Sequence, residues 1–144
     1  MTARITVGAF HAAVHVEAVG LRDDEAQSLR NAWARCRPTP GSRSVELLAD
    51  IGGATPDAVA LGHQLSTRIT LALIELVRDE LLLLHACAIA HQNTGAVMAL
   101  IGPSGRGKTT AAINLGRHFG YVTDETVAVR ADRSVLPYPK PLSV

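Results

Sequence analysis

Apolar and polar residues alternate loosely near the start of the chain, as Ile5, Val7 and Ala9 and then Val14, Val16 and Ala18. A period of two is the mark of a half-buried strand. One or two strands are therefore predicted over residues 5–19, with a turn near Gly8 to His11. Asp23-Asp24-Glu25 opens a predicted helix that runs through Arg35. Acidic residues suit the positive end of the helix dipole. Leu29, Ala32, Trp33 and Cys36 fall on one face of it. Pro38-Thr39-Pro40-Gly41-Ser42 breaks the pattern. Val45 to Ile51 reads as a short strand closed by Gly52-Gly53.

The period then changes. From about Ala58 to Asp79, Leu65, Ile69, Ala72, Leu73 and Leu76 recur at helical spacing, with Arg68, Glu75, Arg78 and Asp79 on the other side. Leu81 to Ala90 is a continuous apolar run broken only by His85, and Ala96 to Ile101 is a second one. Asn93-Thr94-Gly95 between them predicts a hairpin. A helix from Lys108 to about His118 follows, with Gly120 as its C-terminal cap. Tyr121 to Arg130 reads as one strand, Ala131 to Ser134 as a turn, and Val135 onward as a last extended piece.

Composition narrows the class. The chain has 144 residues, 47% of them hydrophobic and 19% charged, about one domain by length. Two Phe, one Trp and two Tyr leave a core of Leu, Val, Ile and Ala. A formal charge of +1 offers no broad basic field, which argues against general nucleic-acid binding. The first residues lack a signal-peptide core. The apolar run from Leu81 to Ala90 is too short to cross a bilayer. Cys36 and Cys87 make neither a C-x-x-C pair nor a zinc pattern. Two such thiols suit a reducing compartment, so a cytoplasmic protein is expected, with no membrane partner.

One motif carries chemistry. Gly102-Pro103-Ser104-Gly105-Arg106-Gly107-Lys108-Thr109 matches G-x-x-x-x-G-K-[ST] at every position. It follows the apolar run Val97 to Ile101 and precedes a helical pattern, the context a phosphate-binding loop requires. Chance gives such a match on the order of once in a few hundred chains of this size. The glycines let backbone amides approach phosphates, and the following helix adds its positive end. Lys108 is expected on the β- and γ-phosphates of ATP and the Thr109 hydroxyl on Mg²⁺. Thr110 lies in the same first turn. Arg106 fits the loop without being required by it.

Asp124 and Glu125 stand 16 and 17 residues beyond Lys108. A carboxylate returned to the loop after one short helix can hold Mg²⁺ or accept the proton of an attacking hydroxyl. Two solvated acids at a strand end fit the spacing equally well. An isolated histidine in an apolar run, such as His85, is more often a satisfied core residue than a catalytic one. His11, His15, His63, His91 and His118 show no metal-ligand spacing.

Taken together, Leu84-His85-Ala86 before a hairpin, Gly102 to Thr110, and Val122-Thr123-Asp124-Glu125 after one short helix resemble the kinase domain of the HPr serine kinase/phosphorylase family. That family is itself similar in fold to ATP-dependent phosphoenolpyruvate carboxykinase. The resemblance covers residues 83–130, about a third of the chain. It implies that His85 and Asp124 lie around the transferred phosphate, with Asp124 as general base or magnesium ligand. Glu125 stands where those kinases carry a second Asp. Pro103 and Thr109 differ from their commonest loop. Family members continue with further strands and an acceptor-binding loop, so an incomplete sheet with an exposed edge near residue 130 is expected.

The expected fold class is α/β, with a small α+β lobe over residues 1–57 and a phosphate-loop nucleotide-binding core over residues 58–144. The expected activity is ATP-dependent transfer of a γ-phosphoryl group to a hydroxyl of a protein, peptide or small molecule. Catalytic residues would be Asp124, Lys108 and His85. Residues 102–110 would bind the nucleotide, and Thr109, Asp124 and Glu125 the metal. An oligomer is compatible with this. The alternatives are an ATPase of transporter or switch type, and an ATP-binding fragment whose catalytic apparatus another segment completes.

Overall fold

The structure, a computed structural model, describes residues 1–51 and 58–142. These form a mixed α/β arrangement of two sheets and three helices, compatible with an α+β class. Among them no helix is long and apolar enough to cross a membrane. The chain divides into two compact units, Met1–Val77 and Arg78–Val144.

In the first unit, β1 (Thr2–Ala9) and β2 (Ala12–Val19) form an antiparallel hairpin in which Ala9 faces Ala12. Its two turn residues, Phe10 and His11, have φ of 58° and 61°. Positive φ at both central positions is what a twisted two-residue hairpin demands. Helix α1 (Asp23–Ala32) then connects β2 to β3 (Arg43–Asp50), which pairs with β2 in parallel. The α1 N-terminus is held by Glu25, whose carboxylate accepts the Arg22 backbone N–H at 2.8 Å. The helix stops before the expected Arg35. Trp33 and Cys36 are buried as expected, but Ala32 is exposed. The chain after Cys36 crosses so close to β1 that a Cβ on Gly8 would stand 2.2 Å from Pro38 Cα. The Gly8 N–H donates to the Cys36 carbonyl there at 2.9 Å.

Helix α2 (Ala58–Val77) packs on β2 and β3. Leu65, Ile69, Leu73 and Val77 form its buried stripe. This packing groups α2 with the first unit, whereas the sequence pattern had put it with the second. The expected closure of β3 by Gly52-Gly53 lies outside the described residues.

The second unit is built on β4 (Leu82–Ala90), which pairs antiparallel with β5 (Val97–Ile101) through the turn at His91 to Ala96. Its other edge takes two short strands in succession, β6 (Gly120–Thr123) and β7 (Thr126–Val129). The single strand expected from Tyr121 to Arg130 is thus interrupted by a bend at Asp124-Glu125. Its register nevertheless runs through: Thr123 faces Ala88, the Ala86 N–H donates to the Glu125 carbonyl at 3.0 Å, and Thr126 faces His85.

Helix α3 (Lys108–Leu115) packs on β4. It ends earlier than expected, at Gly116, a poor helix former, and the chain passes through turns to Phe119. Gly120 is therefore the first residue of β6 and not a helix cap. The exposed sheet edge expected near residue 130 is also corrected. The strand β8 (Val135–Leu136) pairs antiparallel with β7, and beyond it the Tyr138 N–H donates to the Val122 carbonyl at 3.0 Å. Ala86, Ala88, Val122 and Val127 pack together on one face of this sheet, flanked by Leu84, Ala99 and Val129.

Candidate functional site

β5 delivers the chain to the loop. Ile101 pairs with Ala86, midway along β4, and residues 102–107 then turn into α3. Gly105 and Gly107 have φ of 77° and 81°, and Gly107 is the residue that caps α3. Side-chain-bearing residues rarely take that conformation. A Cβ on either glycine would meet nothing within 4 Å, so the space over this bend is open. The first turn of α3 has no side-chain cap.

Lys108, the first helical residue, folds back along the loop. Its ammonium donates to the Gly102 carbonyl at 2.7 Å and the Pro103 carbonyl at 3.0 Å. The side chain thus ties the two ends of the loop together. Ser104, Arg106 and Thr110 are exposed, and Lys108 and Thr109 are half-buried. This is a loop of open amides with one cation set across it.

The other face of the sheet, opposite the apolar cluster, brings the remaining candidates together. Successive residues of a strand point to opposite faces. His85 and Cys87 share that face of β4. Thr126 lies opposite His85, and the continuous register sets Asp124 beside Cys87. Burial holds the Cys87 thiol above the ordinary thiol range. A hydrogen bond from the Leu100 backbone opposes this, the Asp124 charge adds to it, and the Lys108 charge works against it. One buried thiol therefore senses both the loop lysine and the acid. His85 is exposed, so the core role that its apolar surroundings suggest does not hold.

Asp124 is in a different environment from the solvated strand end that its spacing also allows. Its side chain is fully buried. Oδ1 accepts the Tyr121 hydroxyl at 3.1 Å and lies 3.3 Å from the Lys140 ammonium. The same ammonium is 3.1 Å from Glu125 Oε2. Glu125 is partly exposed. Tyr121 and Lys140 were missed by the sequence reading. Tyr121 is three residues from Asp124 in a strand interrupted by a bend, and Lys140 stands in a stretch without motif. Its one visible signal was a lysine between two prolines, Pro139 and Pro141, at a position now found 0% exposed. Among the described residues, no three His, Cys, Asp or Glu side chains gather in a way that could hold a metal.

No protein-family model, no curated protein and no solved structure matches this chain.

Proposed function

We propose that the second unit binds a nucleoside triphosphate, ATP, through residues 102–110 and transfers its γ-phosphoryl group to a hydroxyl. The observation that carries this reading is the loop itself. Gly107 takes a left-handed conformation at the start of α3, the space above it is open, and Lys108 is held across the loop. A glycine bend that opens a helix favours an anion through its backbone amides.

Lys108 is the charge available to the β- and γ-phosphates, at the exchange of one loop carbonyl for a phosphate oxygen. The loop amides fix the chain of phosphates, which is most of what such a reaction asks of a protein. In the step proposed, the acceptor oxygen bonds to the γ-phosphorus as the bond from phosphorus to the bridging oxygen breaks. Nucleoside diphosphate leaves with the electron pair. The hydroxyl proton goes to the face that carries His85 and Asp124. His85 is open to solvent there, whereas the Asp124 side chain is buried.

Magnesium would accompany the nucleotide and add positive charge at the phosphates. Thr109, at the first turn of α3, fits as a hydroxyl ligand. The Asp124–Glu125 pair as it stands does not fit, because Lys140 occupies it. The two unbridged, buried thiols, Cys36 and Cys87, accord with the cytoplasmic location proposed.

The test is binding of a fluorescent ATP analogue in magnesium buffer, followed by transfer of labelled γ-phosphate to hydroxyl-bearing acceptors. Wild type should bind, and Lys108→Ala should bind far more weakly. Transfer should fall in His85→Asn or Asp124→Asn with binding retained, and the larger loss marks the group that takes the proton. Hydrolysis to free phosphate with no acceptor labelled, unchanged in both variants, would favour a switch-type ATPase instead.

A further inference from the structure

The carboxylates that the motif spacing offers to a metal already hold a cation, and the chain builds it in. The Lys140 ammonium contacts Asp124 Oδ1 at 3.3 Å and Glu125 Oε2 at 3.1 Å, and donates to the Pro141 carbonyl at 3.1 Å. Lys140 and the Asp124 side chain are both fully buried. Burial of an ammonium is costly unless carboxylates and hydrogen bonds surround it. This one has both.

The segment that delivers Lys140 is anchored along its length. The turn before it is closed by Asp132, whose Oδ1 accepts the Ser134 N–H at 2.9 Å and the Ser134 hydroxyl at 2.6 Å. Val135 and Leu136 then pair with β7. Tyr138 is 0% exposed and its N–H is bonded to Val122. Pro137, Pro139 and Pro141 restrict the backbone on either side of Tyr138 and Lys140. The Tyr121 hydroxyl ties the two parts together, 3.1 Å from Asp124 Oδ1 and 3.4 Å from the Lys140 carbonyl. Nothing in this arrangement resembles a loose tail resting on the site.

A divalent ion bridging the two carboxylates would sit between them, where the ammonium already lies. Like charges cannot share that space. We infer that Lys140 is the resident cation of the Asp124–Glu125 pair, and that the pair holds no divalent ion of its own. Lys140 and Tyr121 are then positioning residues that fix where Asp124 points. The inference deepens the kinase reading only in the role it leaves to Asp124, and its test needs no nucleotide. Failure of one is therefore told apart from failure of the other.

The test is a titration of the full chain with Mn²⁺, free metal being read by electron paramagnetic resonance. Wild type and Lys140→Arg should show no stoichiometric site. Lys140→Met should gain one, tighter than wild type by on the order of ten-fold or more, and Asp124→Asn in that background should lose it. A second readout needs no variant. The Lys140 ammonium should give a protected ¹H–¹⁵N signal that millimolar Mg²⁺ leaves in place. Stoichiometric Mn²⁺ binding by wild type that Asp124→Asn abolishes would overturn the inference, as would loss of the Lys140 signal on adding Mg²⁺. A folded Lys140→Met that gains no site would overturn it too.

Discussion

The glycine loop at residues 102–110 and the carboxylate cluster belong to the same compact unit but are made in opposite ways. The loop is contiguous and open. Its residues follow one another from Gly102 to Thr110, and Ser104 to Gly107 are exposed. Its shape comes from glycine backbone and from one lysine reaching back six residues. The cluster is assembled from separated pieces and closed. Tyr121, Asp124 and Glu125 come from the β6–β7 bend, and Lys140 arrives from beyond β8. The loop leaves much of itself exposed to solvent, whereas the cluster satisfies itself. Exposed side chains of the loop can be changed at little cost in stability. The charged partners of the buried cluster cannot.

The largest test of that difference is Lys140→Met. Removal of one partner from a buried ion pair leaves uncompensated charge and costs about 3–5 kcal/mol. Denaturant unfolding should show this loss, and a variant as stable as wild type would mean that the cluster is not the closed unit described. Lys108→Ala is the counterpart in the loop. It should weaken ATP binding by about 100-fold, in line with the roughly 1.5–3 kcal/mol of a charged hydrogen bond. Its unfolding midpoint should stay close to that of wild type.

Gly107→Ala separates backbone from side chain. A left-handed non-glycine residue costs about 1–2 kcal/mol, so the variant should be less stable by that amount. It should also bind nucleotide more weakly, although no contacting side chain has been removed. Tyr121→Phe removes only a hydroxyl and should cost about 0.5–1.5 kcal/mol, read by thermal unfolding, with ATP binding unchanged.

The smallest effect concerns Cys87, which lies between the two regions. Its thiol is held above the ordinary range, first by burial. Folding therefore favours the protonated thiol. The stability it contributes is complete below the unfolded-state pKa and is lost as pH rises toward the folded-state value. Alkylation of native protein should accordingly stay slow through the pH range in which a free thiol reacts. Rapid labelling at neutral pH would show that the face carrying Asp124 is more open than described.

The same contrast explains what could be read from sequence. The strands of the first hairpin, α2 and β4 announce themselves by pattern, because each buries one face or a continuous run; β5 reads as a strand from its apolar run although none of its residues is buried. The loop is legible because all its parts are adjacent. The end of α3 was misplaced because Gly120 and Gly116 are both glycines in range, and only packing decides which one stops the helix. The core reading of His85 fails because an apolar run does not say which side of a sheet is covered. At the Asp124-Glu125 bend the Thr123 hydroxyl accepts the Glu125 and Thr126 N–H groups, a local feature that an apolar pattern does not reveal. The covered edge of β7 depends on residues 135–138 folding back, a pairing that no local pattern encodes. Lys140 was invisible for the same reason. Its importance lies in a partner 16 residues away, and neither residue alone is unusual.

The central claim is that the open loop, and not another surface, receives the nucleotide. Two-dimensional ¹H–¹⁵N spectra of the full chain titrated with ATP in magnesium buffer test it most directly. The account predicts saturable shifts concentrated in the amides of Gly102 to Thr110, with those of residues 138–142 little changed. Shifts centred elsewhere, or none at saturating ATP, would contradict it.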